Sequence, residues 1–120
     1  MNFKINGKDV KLKFGLKFCR SLDEVYKVDY QGLEFGMGVS FAFMNLEQRN
    51  PVAISEVIKA ASAHVGFTSD EIDEAVEQYA EDNDGLEKLF KNLLDEMGKS
   101  QVVASTIKHF RENAKIDKKA

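Results

Sequence analysis

The chain has 120 residues, 43% of them apolar and 31% charged, with one proline, one cysteine, no tryptophan and a formal net charge of −3. That length suits one domain, which buries roughly 65% of the surface its unfolded chain exposes and needs no covalent staple. Net acidity argues against a bulk-basic nucleic-acid binder, the lone Cys19 leaves no internal disulfide, and no apolar run is long enough to span a bilayer. The first residues show no apolar signal core and no lipidation motif, so a soluble cytoplasmic protein is expected.

The charge is unevenly placed. Lys4, Lys8, Lys11, Lys13, Lys17 and Arg20 against Asp9 make the first 20 residues a +5 block. Between positions 70 and 87, Asp70, Glu71, Asp73, Glu74, Glu77, Glu81, Asp82, Asp84 and Glu87 stand without a base, a block of −9. Positions 108–120 return to +3. Such segregation reads either as solvated faces or as a surface for self-association or a charged partner.

The opening predicts a β-hairpin. Phe3 and Ile5 alternate with Lys4, Asn6-Gly7 supplies a type I′ turn, and Val10, Leu12 and Phe14 alternate with Lys11 and Lys13 on the return. From Leu16 the period becomes helical, with Phe18, Cys19, Leu22, Val25 and Tyr26 on one stripe. This helix is the expected cover for the hairpin's apolar face, and Cys19 is expected in the core. Gly32, Gly36 and Gly38 make residues 29–38 a connecting loop, and no lysine-serine or lysine-threonine pair follows to make it a phosphate loop. Val39, Phe41, Ala42, Phe43, Met44 and Leu46 then form a short helix apolar on nearly every side, which is either central or half-covered by a partner.

Asn50-Pro51 starts the next helix, with Ile54, Val57, Ile58, Ala61 and Val65 as its stripe and Gly66 as its close. Thr68-Ser69-Asp70-Glu71 is a capping box for a helix with Ile72, Ala75, Val76, Tyr79 and Ala80 inward and the acidic block outward. Asp82-Asn83-Asp84-Gly85 stops that helix, and Asp84 is expected to cap the next. Leu86, Leu89, Phe90, Leu93, Leu94 and Met97 continue in nearly one phase through Val103 or Ala104, Ile107, Phe110 and Ala114. One bent helix of ~30 residues, about 45 Å long, accommodates that phase, as do two helices broken at Gly98; the single long helix is favoured. The reading is therefore α+β, mostly α: an N-terminal β-hairpin and four or five helices, the last one long. It places the hairpin at 1–15, a helical body at 16–114 and a disordered tail at 115–120, all within one domain of residues 1–120.

Chemistry finds little purchase. Placing Gly85 at the sixth position of a calcium loop puts Ala80 and Lys91 where carboxylates are required. His64 and His109 lack ligand-type partners at i+3 or i+4. The carboxylates crowd one helix face rather than an enclosed site, and no serine elbow or cysteine–histidine signature is present. No catalytic, cofactor or metal residue is assigned, and neither nucleic acid nor membrane is expected as a partner.

Ile5-Asn6-Gly7-Lys8, Leu12-Lys13-Phe14-Gly15-Leu16-Lys17-Phe18, Leu22-Asp23, residues 32–38 and Leu86-Glu87-Lys88-Leu89-Phe90 together carry a family resemblance. In their order and spacing the chain resembles the tail assembly chaperones of long-tailed bacteriophages and prophages of Gram-positive bacteria. The resemblance implies a non-enzymatic assembly factor that binds the helical, aggregation-prone tape measure protein and keeps it soluble. It also implies recruitment of the tail tube protein, absence from the mature virion, action in the host cytoplasm, and a longer product made by ribosomal frameshifting. Self-association is a further expectation, with the basic hairpin edge of one copy meeting the acidic helix of another. A holdase needs accessible, adaptable apolar side chains, and the dense glycine-flanked set Phe35, Met37, Val39, Phe41, Phe43 and Met44 is expected to supply them. The competing readings are a small structural virion component, such as a head–tail connector, and a prophage-encoded regulatory adaptor.

Overall fold

The computed structural model describes residues 1–119, without the side chains of Val28, Tyr30, 33–36 and 114–119. Strands β1 (Asn2–Ile5) and β2 (Lys8–Lys11) pair antiparallel with Phe3 opposite Val10. The turn between them has Asn6 at φ 53 and Gly7 at φ 75, the two left-handed conformations a type I′ turn requires. Phe3, Ile5, Val10 and Leu12 are buried while Lys4, Lys11 and Lys13 face solvent, as the alternation predicts.

The hairpin's cover differs from expectation. Helix α1 (Leu16–Val25) packs on α2 (Gly38–Glu47) and α3 (Pro51–Ala61), whereas β1 lies against α4 (Ser69–Asp82), with the Phe3 and Tyr79 rings 5.8 Å apart. The exit from the hairpin explains the change. The Lys13 amide donates to the Ala61 carbonyl at 2.9 Å and the Ser100 hydroxyl donates to the Phe14 carbonyl at 2.6 Å. Those two bonds hold the exit against the ends of two other helices before α1 begins. On α1, Phe18 and Leu22 are buried, but Val25 is 50% exposed and Cys19 is half-buried rather than sealed in the core.

The expected loop at 29–38 contains a second hairpin. Strand β3 (Lys27–Tyr30) pairs with β4 (Leu33–Gly36), and Gln31 at φ 52 with Gly32 at φ 82 repeats the turn geometry of Asn6-Gly7. Gly38 has a different task. A Cβ there would stand 2.4 Å from the Leu22 carbonyl carbon and 2.5 Å from the Asp23 nitrogen, so glycine is what lets α2 start against the α1 backbone. Its amide donates to Asp23 Oδ1 at 2.9 Å.

Helix α2 is the hub, touching α1, α3, α5 (Glu87–Lys99) and α6 (Ala104–Lys119). Val39, Ala42, Phe43 and Leu46 are buried there, and Ile54, Val57, Ile58 and Ala61 of α3 join them. Asn50 caps α3 through its side chain, with Pro51 in the tolerated first turn; the helix ends at Ala61, so Val65 lies beyond it and is exposed. The capping box of α4 is formed in both directions, Thr68 accepting from the Glu71 amide and Glu71 accepting from the Thr68 amide. Asp84 does not cap α5: at φ 55, beside Gly85 at φ 113, it turns the chain, and the residue at the cap is Leu86, which makes no side-chain bond.

Six helices stand among the described residues, against four or five expected. The long terminal helix is divided, and the division falls at Ser100 rather than Gly98. Ser100 is extended, at φ −65 and ψ 126, and its hydroxyl accepts from the Val102 and Val103 amides while donating to Phe14. A bond across 86 positions thus overrides a continuous local pattern. The expected disordered tail at 115–120 lies outside the residues whose side chains are described.

Candidate partner-binding surface

The six side chains expected to form one adaptable surface do not share an accessible face. Met37 sits between β4 and α2 and is 37% exposed; its amide donates to the Tyr26 carbonyl at 3.0 Å. Phe41 and Met44 are half-buried. Val39 and Phe43 are buried in the core, because an all-round apolar helix packed against four others turns most of its surface inward. The side chain of Phe35 lies outside the described residues.

Tyr26 fixes the accessible part. Its ring meets Phe41 edge-on at 6.1 Å between centroids, and its hydroxyl donates to Glu56 Oε2 on α3. Burial first, then that carboxylate bond, push the phenol up to about 12, so Tyr26 is a neutral donor at any physiological pH. The Cys19 thiol is also raised, by burial first and then by Asp23, which leaves it protonated and poorly nucleophilic.

Beside Tyr26 and Glu56 lies a groove that periodicity does not reveal. Val25, Ala60, Ala63 and Phe67 line it, Glu24 and Lys59 stand at its rim, and its volume is about 490 Å³. Val25 and Val65 fall on helical stripes in the sequence and so read as core. The folded chain leaves both exposed, Val25 at the last residue of α1 and Val65 beyond the end of α3. Leu16, Val52 and Val102 are further large apolar side chains left exposed. A second cleft, about 780 Å³, runs between the first hairpin and α4 and is polar, with Lys4 and Asp9 facing Glu71, Glu74 and Asp82 over Phe3 and Tyr79.

The helix ends are held by ion pairs rather than buried chemistry. Arg49, itself at φ 61, forks onto Glu87 with Nε and Nη2 both 3.0 Å from carboxylate oxygens, and its Nη1 donates to the Leu46 and Glu47 carbonyls. The Arg49 bond holds the Glu87 carboxyl below its ordinary value. Thr68 first, then Asn6, do the same for Glu71. Arg111 lies over the Phe43 ring at 4.8 Å, and Phe110 meets that ring edge-on at 6.3 Å. Among the described residues no three His, Cys, Asp or Glu side chains are placed to share a metal ion, and no helix is long and apolar enough to cross a membrane.

The described residues form a small helical body with two short hairpins, an apolar groove between α1 and α3, and a polar cleft where the basic hairpin meets the acidic α4. Residues 2–112 match the family model described as phage tail assembly chaperone protein, TAC, and the chain belongs to that family. No curated protein and no solved structure matches it. Membership implies a non-enzymatic role among phage tail proteins.

Proposed function

We propose that the protein binds the tape measure protein of its phage, keeps that helical client soluble, and helps recruit the tail tube protein around it. The family match along residues 2–112 carries this reading. It is supported by soft side chains left partly accessible, Met37 and Phe41 against Tyr26 and Met44 further along α2, and by the apolar groove of Val25, Ala60, Ala63 and Phe67 between α1 and α3. Methionine and aromatic surfaces adapt to varied helices, which a holdase for a long client requires. The same reading places the protein in the bacterial host cytoplasm, leaves it out of the finished virion, and includes a longer frameshifted form.

Co-expression with the tape measure gene of the same phage tests it. The unaltered chain is expected to raise the soluble tape measure fraction, and Met37→Ser with Met44→Ser to lower that gain while the fold, read by circular dichroism, stays intact. Unchanged solubility with an intact fold counts against these residues. Mass spectrometry of purified virions separates a chaperone from a structural component, which stays in the particle. Self-association between the basic hairpin and an acidic α4 of a neighbour would weaken with added salt, as light scattering reads directly.

A further inference from the structure

The two edges of the first hairpin are unlike. Across a two-residue turn Ile5 and Lys8 form a hydrogen-bonded pair, and bonded pairs then alternate with open ones. Phe3 with Val10 is the next bonded pair, and the Leu12 amide donates to the Met1 carbonyl at 2.9 Å in the same phase. Asn2 and Lys4 therefore turn their backbone N–H and C=O groups off the outer edge of β1, and Asp9 and Lys11 turn theirs off β2. Among the described residues nothing pairs with these outward amides. The β2 edge is flanked by the exposed Lys8, Lys11 and Lys13, and its exit is tied to α3. The β1 edge opens into the cleft of about 780 Å³ beside α4. Asn2, Phe3 and Lys4 line that cleft consecutively, which a strand does only along its edge, because neighbours on one face are two residues apart. The far wall is α4, with Glu74, Gln78 and Asp82 exposed at helical spacing above the half-buried Ala75 and Tyr79. Glu71 closes the turn end by accepting from the Asn6 side chain. Asp9, Glu71, Glu74 and Asp82 line the cleft against the single cation Lys4.

We propose that the β1 edge is a docking site for an extended, basic segment of another protein, which enters the cleft as a third strand. Main-chain bonds to Asn2 and Lys4 hold any extended backbone, and alternate side chains of the guest decide which one binds. The set turned to the face that Phe3 occupies meets α4, with Ala75 and Tyr79 beneath and Glu74 and Asp82 above. Lysine or arginine suits that wall, since its stem is apolar and its head cationic. The guest needs its inward face free. Strand β2 of a second copy has spent that face on its own core, where Val10 is buried, so the chain's own basic strand is not the occupant.

The site is independent of a helical client, and its test uses the full chain alone. A labelled short peptide alternating lysine and valine is titrated by fluorescence anisotropy. It is expected to bind, slowing hydrogen exchange at the Lys4 amide and leaving the Lys11 amide unchanged. Glu74→Lys with Asp82→Lys should weaken binding about tenfold. Lys4→Pro removes an outward N–H without touching a ladder bond. It should weaken binding about fivefold even though it also removes the cleft's cation, whereas Lys4→Ala should not weaken it. Methylating alternate amide nitrogens of the peptide reads the same bonds from the guest, so the test survives a proline variant that fails to fold. Methylation in one phase should abolish binding, and in the other phase spare it. No binding, equal affinity in the two phases, or an unprotected Lys4 amide overturns strand addition. A glutamate–valine peptide that binds as well overturns the basic guest. A chain that self-associates and is dissociated by the peptide assigns the edge to a second copy, which overturns the partner.

Discussion

Helices α2 and α4 are built on opposite principles. Helix α4 brings its own ends with it: a two-way capping box at Thr68 and Glu71, carboxylates in its first turn, and an inner stripe narrow enough that only Ile72 and Val76 are buried. Helix α2 has no bond from the side chain of its own N-cap residue; its ends are held from outside, Asp23 of α1 accepting from the Gly38 amide and Arg49 donating to the Leu46 and Glu47 carbonyls. Its stability comes from neighbours on several sides and from one backbone contact at Gly38. A helix that supplies its own boundaries is readable from sequence and tolerates change on its outer face. One specified by its surroundings shows in the sequence only as an apolar run, without telling which side is buried, and tolerates little.

The contrast sets the order of expected effects. Phe43→Ala should destabilise the fold by about 4 kcal/mol, since a fully buried ring is lost between α2 and α6 and the cavity cannot collapse far. Urea denaturation is the measurement, and a loss near 1 kcal/mol would show that α6 moves in to fill the space. Gly38→Ala should cost about 3 kcal/mol, because the atoms a methyl meets are α1 backbone rather than a flexible side chain. Gly98→Ala is its control: nothing lies within 4 Å of a Cβ there, so the same substitution should stabilise α5 by up to about 1 kcal/mol. Thr68→Ala should cost about 1 kcal/mol, the ordinary worth of a cap, with no change in the burial of α2.

The smallest effect is a pH dependence confined to the capped and paired ends. The folded-state values of Glu71 and Glu87 are lowered, so both carboxylates stabilise the fold above the ordinary glutamate value of 4.5. That contribution disappears as pH falls through their lowered folded values. The urea midpoint should therefore decline below pH 4.5, and Glu71→Gln should make the decline shallower. An unaltered decline in that variant would remove Glu71 from the account.

The same division explains what could be read in advance. The first hairpin was legible because Asn6-Gly7 joins two alternating strands, and α4 because Thr68 and Glu71 announce its start. The second hairpin was hidden, since Gln31-Gly32 is a weaker turn signal and glycines crowd its end for a reason that concerns α1 and α2. The break before α6 was invisible locally because its cause is the Phe14 carbonyl. Of the expected partner surface, Met37, Phe41 and Met44 retain accessibility, whereas Val39 and Phe43 could be placed inside only by knowing that four helices pack against α2. The groove at Val25 and Phe67 brings together residues of α1, α3 and the connection to α4, a juxtaposition no periodicity encodes.

The bond from Ser100 to Phe14 also bears on how the molecule is born. The first hairpin leaves the ribosome early, but the groups that fasten its exit lie in the ends of α3 and α5. At ordinary elongation rates several seconds separate Phe14 from Ser100. Through that interval Phe3, Ile5, Val10 and Leu12 have no finished core to enter, and a four-residue ribbon is marginal alone. Lys4, Lys11 and Lys13 on its outer face are the kind of charge that discourages edge-to-edge pairing of an unfastened ribbon.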